Sequence, residues 1–344
     1  MARTPTAKRV TLRDIARQTG YSINTVSHAL RHKDDIAPAT AVQIRQVARE
    51  MGYTVNQLAS SLRSGRTRVL AIIIGNISNP YFGIFADLIQ DVAASRGYRL
   101  MIMCSHEDAK MELDAVESAI ACRVDGVMLF PTADSMPTIQ RLRDANMPFV
   151  LMARQLEGSA SDCVVSDELN GACLATRHLI EKGARRLAFL SNRDIVYSCR
   201  QRLMGFHRVC DEAGIPESDR FVNILNRDDP SLPLPERLLK LKRDRFDGLV
   251  VFCDEEAWHV IDAILKTDGL DISDFRIVSF DNLGAWLSYP IALCSAGCDY
   301  GEMALQGFNL LRSRIHGNSH PPQSIVCSMT LVCRGSCDAQ PFGR

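Results

Sequence analysis

The apolar positions of the first fifty-odd residues repeat with the spacing of helices rather than strands. The first predicted helix opens at Thr11, whose hydroxyl can cap it, and stops at Gly20. Ser22 caps a second helix that runs to about Leu30. The inward positions of these two helices are Leu12, Ile15, Ala16, Thr19, Val26, Ala29 and Leu30. Two short helices joined by such a tight turn are typical of a helix-turn-helix.

A third helix is predicted after the pair, with Pro38 in its first turn and Gly52 as its stop. Its apolar stripe consists of Ile44, Val47, Ala48 and Met51. The three helices would bury one small core, so the head is predicted to be all-α.

From Val69 onward the pattern changes to short apolar runs that alternate with helical stretches. The predicted strands are Val69–Ile74, Arg99–Cys104, Gly126–Phe130, Phe149–Met152, Leu187–Leu190, Gly248–Phe252 and Ile277–Phe280. This alternation is typical of parallel sheets with crossover helices. The spacing predicts an α/β core of two doubly wound lobes, each of an ordinary domain size.

The formal charge is zero over the 344 residues, but it is unevenly distributed. Residues 1–70 contain 12 Lys and Arg against 4 Asp and Glu, which leaves 28 basic and 36 acidic residues in the rest. A basic head on an acidic body indicates a polyanionic partner. No run of eighteen apolar residues and no signal peptide is evident, so we expect a cytoplasmic protein without a membrane partner.

The outer face of the second helix carries the residues expected to read DNA: Ile23, Asn24, Ser27 and His28. Asn24 can pair with adenine through two hydrogen bonds, His28 can donate to a guanine edge, and Ile23 can contact a thymine methyl group. Ser22 and Thr25 are expected to contact DNA phosphates. Thr11 is also predicted to contact DNA.

The twelve cysteines are scattered and most are interpreted as buried thiols. Cys294 and Cys298 are four residues apart, as are Cys333 and Cys337, but neither pair is CxxC and no histidine lies at ligand spacing. We therefore predict no metal site and no cofactor. The usual short motifs of α/β enzymes, such as GxGxxG, GxxxxGK[ST], GxSxG and HExxH, do not occur, so an enzyme is not predicted.

The run from Val10 to Ser27 (VTLRDIARQTGYSINTVS) resembles the LacI/GalR family of bacterial repressors, and essentially the whole chain does so. The resemblance also rests on Gly52, Tyr53, Asn56, Ala59, Leu62 and residues 65–67 (GRT). It implies a homodimer that binds a pseudo-palindromic double-stranded operator. It also implies a hinge helix over residues 56–64, in which Asn56, Ala59 and Leu62 contact DNA and Leu62 is wedged between base steps. A flexible linker is the alternative for this segment.

Three head residues depart from the family pattern. Val55 stands where proline is usual, Ala37 where a capping serine is common, and His28 where arginine is frequent. The fold tolerates all three, but His28 changes what the reading face can bind.

The family resemblance divides the chain into a DNA-binding domain (1–55), a hinge and linker (56–67) and an effector-binding core (68–344). The chain is expected to cross between lobes near residues 165, 295 and 326. This gives an N-lobe of about 68–165 plus 296–325 and a C-lobe of about 166–295 plus 326–335, as in periplasmic binding proteins. A ligand would bind at the carboxyl ends of the strands, in the cleft between the lobes.

The predicted effector contacts are Arg202, which matches the family's ligand-binding arginine, and Asp281, with Tyr81, Phe82 and Tyr300 as ring contacts. A surface salt bridge for Arg202, a turn cap for Asp281 and core packing for the aromatic residues are the alternatives. Ala153 stands where aspartate is usual, and Cys253-Asp254 replaces Asn-Asp. The Ala153-Arg154 pair and residues 291–295 weakly resemble the maltose-regulator branch.

These features predict a repressor of a carbohydrate-utilisation operon, controlled by a small sugar or sugar-phosphate effector. A regulator with a degenerate or non-sugar pocket is the alternative, and an architectural DNA-bending protein is a further one.

Overall fold

The computed structural model describes residues 10–30, 35–53, 65–191, 196–224, 233–288 and 292–338. The chain divides into two compact units, residues 1–67 and residues 68–344. Most of the predicted hinge, including Asn56, Ala59 and Leu62, lies outside the described residues, so its conformation and its DNA contacts stay predictions.

The first unit contains the three predicted helices, α1 (Leu12–Thr19), α2 (Ile23–Leu30) and α3 (Pro38–Glu50). A capping box between Thr11 and Asp14 begins α1, and Gly20 ends it in the left-handed conformation with φ +75°. The core of the unit consists of Ile15, Val26, Ala29, Ala41, Ile44 and Ala48. The Arg45 Nε donates to the Ala29 carbonyl at 2.9 Å and ties α3 to α2. The all-α head is therefore confirmed.

The N-lobe of the second unit is a six-stranded parallel sheet in the order β11-β5-β4-β3-β1-β2. Its strands are β1 (Val69–Ile74), β2 (Arg99–Cys104), β3 (Gly126–Leu129), β4 (Phe149–Met152), β5 (Cys163–Ser166) and β11 (Ser324–Cys327). Helices α4 (Pro80–Ser95) and α11 (Tyr300–Ile315) pack on one face, and α5 (Ala109–Ala121) and α6 (Met136–Asp144) on the other.

The C-lobe is a second six-stranded sheet in the order β12-β10-β9-β8-β6-β7. Its strands are β6 (Leu187–Ser191), β7 (Arg220–Ile224), β8 (Gly248–Val251), β9 (Arg276–Phe280), β10 (Cys294–Gly297) and β12 (Thr330–Val332). Its helices are α7 (Glu168–Glu181), α8 (Tyr197–Glu212), α9 (Leu234–Arg243) and α10 (Asp254–Lys266). The predicted pair of doubly wound lobes is confirmed.

One strand departs from the predicted parallel arrangement, because β12 pairs with β10 in the antiparallel direction. Only two residues separate β12 from β11 of the other lobe, so β12 enters the C-lobe at the interlobe side. The other C-lobe strands end on that side, and β12 must therefore run against them.

The chain passes from one sheet to the other after β5, after β10 and after β11. These crossings follow Ser166, Gly297 and Cys327. Among the described residues, no helix combines the length and apolarity that crossing a lipid bilayer requires.

Candidate DNA-reading face and effector cleft

The start of α2 presents the side chains expected to read bases. Ile23 is 45% exposed although it is a large apolar residue, and Asn24 beside it is also exposed. The Ser22 hydroxyl accepts a hydrogen bond from the Thr25 backbone N–H at 3.0 Å and lies 2.8 Å from the Thr25 hydroxyl. Ser22 therefore caps α2 as predicted, and the contact of these two hydroxyls with phosphate stays a prediction.

Ser27 was expected on the outer face of α2, and this expectation is wrong. Its exposed fraction is only 6%. The packing of the head covers a wider arc of α2 than Val26, Ala29 and Leu30 mark in the sequence, and Ser27 lies within that arc. The reading face therefore begins with Ile23 and Asn24 and reaches the half-buried His28.

His28 has a partner that the sequence did not predict, since its Nδ1 lies 2.7 Å from an Asp35 carboxylate oxygen. A ring that donates its Nδ1–H to Asp35 leaves Nε2 as the nitrogen able to face DNA. In the neutral ring this Nε2 accepts a hydrogen bond, and in the imidazolium it donates one. Donation to a guanine edge, as predicted, therefore requires the protonated ring.

The carboxyl ends of the strands in the second unit converge on an interlobe cleft. Tyr81, Phe82, Arg202 and Asp281, four of the five predicted effector contacts, line it together. The remaining lining residues are Asn79, Phe130, Ala153, Arg154, Glu168, Ser198, Phe252 and Cys253. The cleft therefore combines aromatic rings with a few charged and hydroxyl groups, as small-molecule sites do.

Arg202 is the centre of a buried ionic network. Its Nε donates to Glu168 Oε2 at 2.6 Å, a second nitrogen lies 3.4 Å from Asp281 Oδ1, and a third donates to the Phe252 carbonyl. The guanidinium also stacks on the Phe252 and Phe280 rings. Burial acts to lower the pKa of Arg202, but Glu168 and Asp281 outweigh it and raise the pKa above its ordinary value. Arg202 is thus a fixed cation.

Asp281 lies in a turn whose backbone is unusual. Asp281 and Asn282 both have positive φ, +90° and +48°, a region that costs energy for residues other than glycine. The Tyr300 hydroxyl donates to the Asp281 carbonyl at 2.6 Å, and the Asn282 N–H donates to Ser295 Oγ at 2.8 Å. The surrounding structure therefore holds the Asp281 carboxylate at the cleft.

The three aromatic residues differ in their exposure to the cleft. Tyr81 is half-buried and packs edge-on against Tyr300, with 5.5 Å between the ring centres. Phe82 is 3% exposed and packs against Phe130, so only part of its ring borders the cleft. Tyr300 does not line the cleft, because its ring is buried and its hydroxyl is used by Asp281. Burial raises the pKa of both tyrosines well above the ordinary value, so both hydroxyls stay protonated.

Several cleft residues were not predicted as effector contacts. Glu168 lies one residue after the Asp167 cap of α7, and an acid directly after a crossing strand is the signal that could have indicated it. Arg154 is held by Glu107 through two hydrogen bonds of 2.7 and 3.0 Å. Asn79 donates to Glu255 of the other lobe at 2.8 Å and so bridges the cleft.

Two parts of the chain match known protein families. Residues 11–56 match the bacterial regulatory proteins of the lacI family, and residues 176–337 match the periplasmic binding protein-like domain. The chain belongs to the LacI family. Such regulators pair a helix-turn-helix with a two-lobed core, which is the arrangement described above.

Relatives of this LacI-family chain match it over nearly its full length. The transcriptional regulator GalR of Escherichia coli K12 is 25% identical over 331 residues, 95% of each chain. The lac repressor dimer bound to operator and the anti-inducer ONPF has a TM-score of 0.80 at 19% identity, over 96% of this chain and 99% of that one. The CelR–cellobiose complex has a TM-score of 0.68 at 22% identity, over 95% and 100%. These two likenesses establish the shared fold.

Proposed function

We propose that this protein represses a carbohydrate-utilisation operon and responds to a neutral, hydroxyl-rich sugar bound in the interlobe cleft. It binds its operator as a homodimer, in which two heads occupy the half-sites of a near-palindrome. The lac repressor relative, solved as a dimer on its operator, and the CelR relative, solved with cellobiose, support this proposal.

The pairing of the charged side chains in the cleft supports a neutral effector over a charged one. Its charged lining consists of two guanidinium groups, Arg154 and Arg202, and two carboxylates, Glu168 and Asp281. Arg154 is already bound by Glu107, and Arg202 by both lining carboxylates. A phosphate would have to displace one of these partners and would face the remaining carboxylates. Carboxylates accept hydrogen bonds from sugar hydroxyl groups at no such cost.

The two sequence departures fit the same effector class. Ala153 and Cys253 line the cleft in place of polar residues, and Cys253 is 3% exposed. Glu168, which accepts from the Arg202 Nε, supplies acceptor oxygens in addition to those of Asp281. The resemblance to the maltose-regulator branch stays a prediction.

A regulator with a non-sugar effector is the second candidate. Four aromatic rings line the cleft and would also suit a flat heterocycle: those of Tyr81, Phe82, Phe130 and Phe252. The effector panel below therefore includes nucleobases.

The experiment selects an operator from random DNA with the full chain and then measures operator affinity with neutral sugars, sugar phosphates and nucleobases. We expect a neutral sugar to change the affinity and its phosphate to be weaker by tenfold or more. The Arg202→Lys variant keeps the charge but loses the planar fork. It should bind the operator like the unaltered protein and lose at least tenfold in sugar affinity, whereas Arg208→Lys on the exposed side of α8 should not. A response to sugar phosphates alone would contradict the proposed effector class. Failure to select any operator sequence would contradict the proposed repressor function.

A further inference from the structure

Three cysteines and one histidine converge in the C-lobe, away from the cleft. They are His178 on α7, Cys294 at the start of β10, and Cys333 and Cys337 in the segment after β12. Each offers one nitrogen or sulfur atom, and these four atoms all lie within 4.8 Å of one another. The sequence did not indicate this group, because His178 is more than a hundred residues from the cysteines. Cys298, four residues from Cys294 in the sequence, contacts the Met303 sulfur.

The distances within this cluster match the edges of a small tetrahedron. The Cys294 and Cys333 sulfurs are 3.6 Å apart, those of Cys333 and Cys337 are 3.5 Å apart, and His178 Nε2 lies 3.1 Å from the Cys337 sulfur. A zinc ion with Zn–S bonds of about 2.3 Å and a Zn–N bond of about 2.0 Å has sulfur–sulfur edges of about 3.8 Å and sulfur–nitrogen edges of about 3.5 Å. Small side-chain shifts would bring all four atoms to bonding distance.

The chemistry of the four donors selects the class of ion. Three thiolates and one imidazole are soft or borderline ligands, which suit Zn²⁺ and not Ca²⁺ or Mg²⁺. With four protein ligands the coordination is complete, which is typical of structural rather than catalytic zinc. We propose that the C-lobe of this protein binds one structural Zn²⁺ through His178, Cys294, Cys333 and Cys337.

The surroundings of the cluster fit a bound ion. Three thiolates around Zn²⁺ carry one net negative charge, and the Arg334 backbone N–H already donates to the Cys294 sulfur at 3.2 Å. The Cys294 N–H donates to the Ser336 hydroxyl, which in turn donates to the Ile277 carbonyl, both at 2.7 Å. Cys294 and Cys337 are buried whereas Cys333 is exposed, so an ion could enter from the Cys333 side.

The site would support the floor of the effector cleft. The Arg334 guanidinium donates to Asn282 Oδ1 at 2.5 Å and to the Leu293 carbonyl at 3.0 Å. Asn282 belongs to the left-handed turn that presents Asp281 to the cleft. Because Arg334 follows Cys333 directly, an ion that fixes Cys333 also fixes the residue that braces this turn.

The test measures metal in the full chain purified under reducing conditions. We expect one zinc per chain, and Co²⁺ added to the chelator-treated protein should give the intense visible bands of tetrahedral thiolate coordination. Chelation should lower the melting temperature, and Zn²⁺ should restore it. Cys333→Ser should lower zinc affinity at least tenfold in competition with a chelator. Cys122→Ser, at another exposed cysteine, should leave it unchanged.

Serine at the exposed position 333 removes a ligand without altering the core, so the variant should melt at the temperature of the chelator-treated parent. The proposal would be overturned by a reduced protein that takes up no Zn²⁺ or Co²⁺. It would also be overturned by a Cys333→Ser variant that keeps its zinc, or by alkylation and mass spectrometry showing that Cys333 forms a disulfide in the protein as purified from cells.

Discussion

Asp254 is a carboxylate that the fold buries for a structural purpose. It is 1% exposed at the start of α10, where it accepts hydrogen bonds from the Ser279 hydroxyl and from the Leu283 N–H. Burial raises its pKa to about 6, although these hydrogen bonds oppose the change. The folded chain therefore holds this proton more tightly than the unfolded chain. Its contribution to stability is complete below about pH 4 and is lost as the pH rises through 6.

Asp254→Asn should remove this pH dependence, because asparagine carries no charge. Its amide oxygen can accept from the Leu283 N–H while its amide NH₂ donates to the Ser279 oxygen. Between pH 4 and pH 7 the parent should lose about 2 kcal/mol from this residue, since each pKa unit corresponds to about 1.4 kcal/mol and the unfolded carboxyl is already partly ionised at pH 4. The Asp254→Asn variant should not show this loss of stability. Urea unfolding between pH 4 and 7 measures the difference. Asp262→Asn, an exposed position on the same helix, should keep the parental slope.

Asn24→Ala should reduce operator binding by about ten- to a hundredfold, because a side chain that makes two hydrogen bonds to adenine contributes about 1–3 kcal/mol of discrimination. Affinity for random DNA should change little, since phosphate contacts dominate there. Gln46→Ala on α3 serves as the control, because the Gln46 side chain pairs only with Glu50 in the described structure. Equal losses on operator and random DNA would argue against base reading by Asn24.

Side-chain partners could be predicted from the sequence when they lie close together along the chain. The caps at Thr11 and Ser22 were predictable because their partners are three residues away. Arg202 was predicted as an effector contact from its match to the family motif, and Asp281 from its position at the end of a strand. Glu168 and Asp35 were missed as partners of Arg202 and His28, since folding brings these pairs together across the sequence.

At the scale of elements, α7 and α8 approach closely at a glycine. A Cβ atom at Gly205 would overlap the Leu169 carbonyl oxygen and lie 2.7 Å from the Ala172 Cβ. Gly83 in α4 is also helical, but a Cβ there would have no neighbour within 4 Å. Alanine at Gly83 therefore tests helix propensity alone, whereas alanine at Gly205 also tests the packing of α7 against α8.

Gly205→Ala should destabilise the core by about 1–3 kcal/mol through overpacking. Gly83→Ala should instead stabilise it by up to about 1 kcal/mol, since alanine is the better helix former. Denaturant unfolding of the two variants side by side checks both signs. A Gly205→Ala variant as stable as the parent would contradict the close approach of α7 and α8 at this position.

The apolar runs of the sequence predicted seven of the described strands and missed five others. All seven predicted strands are present, whereas β5, β7, β10, β11 and β12 were not predicted as strands. β10 reads CSAG and β12 has three residues, so neither carries a strong strand pattern. β11 is an edge strand whose exposure alternates. Tertiary pairing, rather than local preference, makes these segments strands.

At the scale of the whole core, one hydroxyl connects the lobes at the effector cleft. Tyr300 belongs to α11 of the N-lobe and donates to the Asp281 carbonyl of the C-lobe. Tyr300→Phe removes this hydrogen bond and loosens the turn that presents Asp281. Because such a bond contributes about 1 kcal/mol, affinity for the sugar found in the panel should fall about fivefold.

Tyr98→Phe provides the matched control for that measurement. The Tyr98 hydroxyl is buried, and no hydrogen-bond partner for it is found among the described residues. Its removal should therefore leave sugar affinity unchanged. Isothermal titration of both variants gives the comparison, and equal affinities for the two would show that the Tyr300 bond does not support the site.

The three crossings between the lobes also determine when the core can be completed during synthesis. β11 and β12, the last strands of the two sheets, both lie within residues 324–332, close to the end of the described chain. Neither sheet can therefore close until residues 324–332 have left the ribosome, whereas the three described helices of the head end by residue 50. A nascent chain would hold a folded DNA-reading head well before it can sense an effector, and the two lobes would finish folding almost together.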